Sequence, residues 1–186
     1  MANKDAAFGL KAIGKVGQNR DNQGLSEYDI AASATAIYQN DPVKMLATGT
    51  IGVAAAGDVL LGALTGVFFT DASTSKPTYA NHLEASNTAT DIVGFVADDP
   101  YERFEVQSAG TVNQTNIGNC ADIAYTAGSS PNYVSKVEAS GTMAAGEAQL
   151  KIIGVSKDPD NNELGSANAN LIVNINEHFL KATAGI

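Results

Sequence analysis

The segment that most constrains the fold runs from Ile92 to Gln107 and places apolar and polar side chains alternately around one tight turn. Phe104 and Val106 fall on one side of an extended chain and their polar neighbours fall on the other, which is the period of a half-buried strand. Asp99 and Pro100 suit the first two positions of a type I turn, because proline fixes φ and aspartate accepts hydrogen bonds from turn N–H groups. The segment therefore predicts a β-hairpin, two strands joined by this turn.

Short apolar runs bounded by glycine, proline or polar clusters continue this style along the chain. They fall at 36–46, 49–54, 59–61, 66–70, 78–83, 121–125, 133–139, 148–156 and 169–179. No run keeps the 3.6-residue period of a helix. Many short strands separated by turn signals predict an all-β fold, either a β-barrel or a sandwich, with an extended N-terminal arm. The polar face of the strand that contains Arg103, Glu105 and Gln107 is expected to meet either water or a neighbouring subunit.

The chain length of 186 residues allows one domain or two small ones. A compact domain of this size buries roughly 70% of its unfolded surface, so the core needs no disulfide. We predict an extended arm over residues 1–28 and a β domain over residues 29–186, which could form two lobes at 29–109 and 110–186. Cys120 is the sole cysteine and is predicted to be a small, structurally inert residue.

The predicted arm differs from the body in charge. Residues 1–20 carry a net charge of +3, whereas the remainder carries −12. A basic arm on an acidic body is expected to dock on an acidic surface, and the arm's apolar residues, which cannot form a core alone, are expected to pack on a partner or on the body. The predicted interface residues are Phe8, Leu10, Lys11, Ile13, Lys15 and Arg20.

Two classes of partner are disfavoured by composition. The net charge of −9 argues against nucleic acid, which is bound by clustered basic surfaces. The apolar stretch 46–69 is long enough to span a bilayer, but Asp58 and five glycines interrupt it, and short strands explain it better than a membrane helix. The N-terminus has no continuous apolar region of the kind found in signal peptides.

No residue pattern predicts catalysis, a cofactor or a metal. The carboxylates at 98, 99, 102 and 105 could be a glycosidase pair, but a solvated turn and strand face explain them better. The segment Asp158–Gly165 resembles a calcium loop only at its first three ligand positions, because Glu163 stands where the loop needs glycine and Ala169 where it needs glutamate. His82 and His178 lack zinc-ligand spacing with Cys120 or with each other.

A resemblance is carried by short pieces spread between residues 38 and 178. They are Tyr38–Val43, Gly66–Asp71 with Lys76-Pro77, Val96–Pro100, Phe104–Gln107, Ile117–Asn119, Gln149–Gly154 and Asn174–His178. In order and spacing these pieces resemble the capsid decoration (cement) proteins of tailed bacteriophages, especially marine ones.

The resemblance implies a small β protein on the outer surface of an icosahedral virion, bound to the major capsid protein and stabilising contacts between capsid subunits. It also implies self-association around a capsid symmetry axis, which would multiply weak contacts. The alternatives are a head-fibre or tail component and a host-surface or carbohydrate-binding β module. The absence of tryptophan weakens the carbohydrate alternative, because sugar platforms are built from large aromatic rings.

Overall fold

The computed structural model describes residues 2–16 and 24–181, and these residues form antiparallel β-strands joined by turns. In chain order the strands are β1 (Lys11–Lys15), β2 (Ser26–Asp29), β3 (Pro42–Met45), β4 (Ile51–Val53), β5 (Gly62–Thr70), β6 (Pro77–Ala80), β7 (Val93–Ala97), β8 (Glu102–Gln107), β9 (Cys120–Ala121), β10 (Ile123–Ala124), β11 (Glu138–Ala139), β12 (Leu150–Val155) and β13 (Asn170–Ile175). Two single 3₁₀ turns cover Gln114–Asn116 and Phe179–Lys181, and the described residues contain no α-helix. The all-β prediction is confirmed.

The strands form two open sheets in a sandwich-like arrangement. The five-stranded sheet has the order β1-β8-β13-β12-β9, and the six-stranded sheet has the order β2-β7-β5-β3-β4 with β6 added to β5. A separate pair joins β10 to β11. Because the sheets are open, the sandwich interpretation describes the fold better than the barrel. The apolar stretch 46–69 contributes β4 and β5, and no described segment forms a helix with the length and hydropathy of a membrane span.

The predicted hairpin at residues 92–107 is wrong in its pairing. Both strands exist, and the turn closes through a 2.9 Å hydrogen bond from the Glu102 N–H to the Asp99 carbonyl oxygen. However, β7 pairs with β2 and β5, whereas β8 pairs with β1 and β13. The chain therefore crosses from one sheet to the other at residues 98–101, which we call the crossing turn.

Two separate apolar clusters explain why the chain crosses. Val96 is fully buried with Leu64 and other side chains of the six-stranded sheet, whereas Phe104 and Val106 are fully buried with Val173 and other side chains of the five-stranded sheet. Fully burying one such side chain contributes about 1.5–3 kcal/mol, so each strand is drawn to its own cluster. The boundary between the two sheets lies at the crossing turn and does not match a division at residue 109. Although β1 is N-terminal, it belongs to the five-stranded sheet.

Residues 24–28 of the predicted arm lead into β2 of the six-stranded sheet, so this strand crosses the predicted boundary at residue 28. Residues 2–16 lie along the five-stranded sheet and are called the N-terminal strap. Its β1 pairs with β8, with an irregularity in register between Ala12 and Gly14. Leu10 is completely buried, and its N–H donates to the Asn40 carbonyl oxygen at 2.9 Å. Gly9 has φ +76°, and a Cβ there would lie 2.4 Å from that same carbonyl oxygen, so only glycine fits.

Candidate interaction surfaces

Gln107 anchors the N-terminal strap to the five-stranded sheet. Its side chain is completely buried, although strand alternation places it on the polar face of β8. Its Oε1 accepts the Ala6 N–H at 2.9 Å, and its Nε2 donates to the carbonyl oxygens of Lys4 at 2.8 Å and Asn168 at 3.3 Å. The polar face predicted to meet water or a neighbouring subunit is thus covered at Gln107 by this chain's own N-terminus.

Two asparagines extend this contact to the loop before β13. Asn161 is 5% exposed, and its Nδ2 donates to the carbonyl oxygens of Lys4 and Asn168, at 2.8 Å each. Asn3 donates to the carbonyl oxygens of Glu163 at 3.0 Å and Ala167 at 2.8 Å, and it accepts the Glu163 N–H at 3.1 Å. Amides can donate and accept at once, so they satisfy backbone groups of both segments.

Two lysines of the strap form ion pairs within the chain. Lys15 lies 2.8 Å from the Asp99 carboxylate at the crossing turn, and Lys4 pairs with Asp160. The acidic surface on which a basic arm was expected to dock therefore includes the chain's own body.

The six predicted interface residues do not share one surface. Leu10 is buried in the core of its own chain, which leaves it no surface for a partner. Lys11 is exposed, Ile13 is 46% exposed, and Phe8 and Lys15 are half-buried. Arg20 lies outside the described residues. Of the strap's predicted contacts, Lys11 and Ile13 on the edge strand β1 are the ones that face outward.

Exposed apolar side chains collect beside the crossing turn. The Val16 N–H donates to the Tyr101 carbonyl oxygen at 2.8 Å, and the Lys181 ammonium lies 5.0 Å from the centre of the Tyr101 ring. Val59 and Lys181 line one shallow cavity of about 220 Å³. The exposed fractions are 51% for Val16, 60% for Tyr101, 52% for Leu180 and 44% for Val59. Leu180 directly precedes Lys181 in the chain, and these four residues and Lys181 define the crossing surface.

Sequence reasoning missed most of the crossing surface. Val16 is one of the apolar residues of the predicted arm, but Val59, Tyr101 and Leu180 come from distant parts of the chain, and only the tertiary fold brings these segments together. The available signal was local, since Tyr101 is the third residue of the predicted turn, where a large side chain is seldom buried.

The carboxylates of the crossing turn have structural partners. Asp98 is 9% exposed and accepts hydrogen bonds from the Ser26 hydroxyl at 2.9 Å and the Tyr28 hydroxyl at 2.6 Å. Burial, and then the Asp98 carboxylate, raises the pKa of Tyr28 to about 12. Glu102 is 7% exposed and accepts the Gly14 N–H at 3.1 Å, and burial raises its pKa. Asp98 therefore fixes β2 against the crossing turn, and Glu102 fixes the strap there.

His178 lies under the crossing surface and is 2% exposed. Its Nδ1 accepts the Leu180 N–H at 3.1 Å, and its buried Nε2 has no hydrogen-bond partner. Burial, with a further contribution from the positive charge of Lys181, lowers the pKa of His178 to about 4. The imidazole is therefore neutral at pH 7, which agrees with a structural hydrogen-bonding residue at the end of β13.

Replacing His178 with asparagine is expected to weaken the acid sensitivity of folding. The folded pKa of about 4 lies below the ordinary 6.5, so the wild type loses up to about 3 kcal/mol of stability as the pH falls from 6.5 towards 4. Asparagine keeps an acceptor for the Leu180 N–H and does not titrate. Urea unfolding at pH 7 and pH 4.5 measures this, and equal losses for wild type and His178→Asn would contradict it.

Asp41 is a second buried titratable group, at the junction of the strap with the six-stranded sheet. It is completely buried, its Oδ2 accepts the Tyr38 N–H at 2.8 Å, and its Oδ1 has no hydrogen-bond partner. Burial raises the pKa of Asp41 to about 6, and the Ser135 side chain and the Tyr38 N–H oppose this rise only in part. The junction therefore holds a carboxyl group that loses its proton at an unusually high pH.

A stack of rings ties the loop before β11 to the six-stranded sheet. The His82 and Tyr133 rings are parallel within 5°, with centroids 3.8 Å apart, and Tyr38 lies 6.3 Å from His82. The Gln39 N–H donates to the Tyr133 carbonyl oxygen at 3.1 Å. Tyr133 has φ +53°, a left-handed conformation that costs a bulky residue energy, so the surrounding contacts hold this loop in place.

The residues considered for metal binding or catalysis are dispersed. In the calcium-like loop, the Asp158 Oδ1 accepts the Asp160 N–H at 3.1 Å, and Asn161 points inward to the strap. Across residues 2–16 and 24–181 no three histidine, cysteine, aspartate or glutamate side chains are grouped so as to hold a metal ion.

Comparison with known proteins finds no matching family model, curated protein or solved structure.

Proposed function

We propose that this chain is a virion structural protein, a decoration protein that binds the outer surface of a tailed-phage capsid and stabilises contacts between major capsid subunits. The observation that carries the proposal is the crossing surface, where four large apolar side chains are each 44–60% exposed on an acidic, all-β body. Large exposed apolar side chains gathered near one turn are typical of a protein interface. The short sequence segments that resemble those of decoration proteins in order and spacing support the same proposal.

The way in which the crossing surface is held also supports attachment. Its residues come from the strap, the loop before β5, the crossing turn and the 3₁₀ turn after β13, and hydrogen bonds and an ion pair fix these segments. A surface that is already ordered loses little conformational entropy on binding. Lys15 and Val16 still give the N-terminal region a role in attachment. They belong to an ordered surface, whereas the sequence predicted an extended arm that reaches a partner. Self-association around a local symmetry axis would add avidity.

The proposal predicts that the protein is found on purified heads in numbers comparable with the major capsid protein, and not in the few copies of a fibre. Heads from a deletion mutant should release DNA at lower temperature and in weaker osmotic shock, because a ligand that binds only the assembled shell stabilises it. Adding the purified protein should restore both. Equal fragility with and without the protein would rule out the stabilising role.

The double variant Val16→Ser, Tyr101→Ser tests the surface itself. It should need about tenfold more protein for half-maximal occupancy of the deletion heads, since central aromatic residues dominate such interfaces. Ile153→Ser is the matched control, because Ile153 is a 41% exposed apolar residue elsewhere, on β12. Equal binding by wild type and double variant would reject the crossing surface as the attachment site.

A further inference from the structure

The outer face of the six-stranded sheet carries aromatic side chains in register. Phe95 and Val93 alternate outward on β7, whereas Val96 and Ile92 point into the core. Val93 lies opposite Phe68 of β5, and Phe68 lies opposite Tyr79 of β6. Phe68, Tyr79, Val93 and Phe95, which we call the aromatic face, therefore form one continuous patch across three strands.

Tyr79 is at the centre of this face and is 75% exposed. Its ring lies 4.8 Å from the Phe68 ring and 6.0 Å from the Phe95 ring, centroid to centroid. Phe68, Val93 and Phe95 are half-buried. The water-facing side of an antiparallel sheet is ordinarily polar, so three adjoining rings on that side are unusual and indicate a binding surface.

The aromatic face has an acidic border. On the edge strand β2, Glu27 lies opposite Phe95 and Asp29 lies opposite Val93, and both carboxylates are exposed. Asp91, also exposed, precedes β7 and accepts the Thr70 N–H at 3.0 Å. Lys76 lies next to β6, at the opposite edge. A complementary surface would place an apolar centre on the rings and basic residues along β2.

We infer that the aromatic face is a second docking surface, for a protein partner whose apolar patch is bordered by lysine or arginine along the β2 side. This inference rests on the proposed function, under which the partner is a second capsid subunit, and it explains how one decoration protein bridges two neighbours. Charge selects the partner on this face: a second copy would bring the same acidic border to it, whereas a basic border neutralises Glu27 and Asp29.

Binding to heads that lack the protein tests this inference. Tyr79→Ser is expected to raise the concentration for half-maximal occupancy about tenfold, because it removes the central ring. The double variant Glu27→Lys, Asp29→Lys is expected to bind more weakly and to lose the decrease in binding that added salt causes in the wild type. Exposed controls are Ile153→Ser for the ring and Asp5→Lys, Glu147→Lys for the charge reversal; both should bind within about twofold of wild type. Circular dichroism and thermal unfolding confirm that each variant is folded.

The outcomes separate the two proposals. If the wild type does not bind heads, the proposed function fails and the capsid partner fails with it. If the wild type binds and folded Tyr79→Ser binds equally well, the aromatic face alone is rejected. Sedimentation velocity of the protein alone detects a second copy on this face, as an oligomer that Tyr79→Ser dissociates, and a glycan array detects sugar binding lost in that variant. Either result would overturn the inference that the aromatic face binds a different protein with a basic border.

Discussion

Replacing Gln107 with glutamate is expected to destabilise the folded protein by at least about 3 kcal/mol at pH 7, although the two side chains have nearly the same size. The Gln107 Nε2 donates to the carbonyl oxygens of Lys4 and Asn168 at a completely buried position. A carboxylate would point an oxygen at these acceptors and would carry an unpaired charge out of water. The N-terminal strap would separate from the five-stranded sheet.

The pH dependence of this loss distinguishes charge from shape. A protonated glutamic acid can again donate to the Lys4 carbonyl oxygen, so the difference in the free energy of unfolding from wild type should shrink as the pH falls. Denaturant unfolding between pH 4 and 8 measures it. Gln114→Glu, at an exposed position of the first 3₁₀ turn, is the matched control. A difference for Gln107→Glu below about 1 kcal/mol at pH 7 would show that the strap is not anchored there.

The second large effect is a gain in stability. Asp41→Asn should raise the free energy of unfolding at pH 7–8 by up to about 3 kcal/mol. The folded pKa of about 6 lies above the ordinary 3.8, so the folded protein holds this proton more tightly than the unfolded chain. Wild-type stability from this group is therefore complete below pH 4, falls as the pH rises to about 6, and stays lower above it. Asparagine keeps an acceptor for the Tyr38 N–H and has no charge to bury.

Thermal and urea unfolding of Asp41→Asn and wild type at pH 4 and pH 8 check this sign. The two proteins should differ little at pH 4 and most at pH 8, and exposed Asp5→Asn should show no such divergence. His178 makes the wild type more stable as the pH rises over nearly the same range in which Asp41 makes it less stable. The free energy of unfolding of the wild type is therefore expected to vary less with pH than that of either variant. An Asp41→Asn protein less stable than wild type at pH 8 would mean that the carboxylate has an attractive partner.

Local patterns predicted the strands well because alternation is a local property. Phe104 and Val106 were predicted to share one side of a half-buried strand, and both are buried. Pairing is not local. Nothing between residues 92 and 107 indicates that β7 and β8 find different neighbours, since that choice depends on two apolar clusters assembled from distant segments.

The same limit explains the interface predictions. Gln107 was assigned to an outward polar face, which is correct for strand alternation, but the strap covers that face and turns a surface amide into a buried anchor. Leu10 was assigned to an interface because the arm could not form a core alone, and it completes the core of its own chain. The aromatic face was open to prediction, because Phe68, Tyr79 and Phe95 lie in predicted strands, but their common direction depends on the register of three strands.

The contacts of the N-terminal strap fix the order in which a newly synthesised chain can fold. Asn3 donates hydrogen bonds to the carbonyl oxygens of Glu163 and Ala167, which lie 160 and 164 positions later in the chain. The strand β1 pairs with β8, which starts at residue 102. A chain synthesised from its N-terminus cannot make these bonds until almost all of it has left the ribosome, and contacts at such separations form slowly. The six-stranded sheet can assemble from residues 26–97 well before then. The residues made first are therefore among the last to reach their native places, so an incomplete chain keeps an unpaired N-terminus and cannot complete the five-stranded sheet.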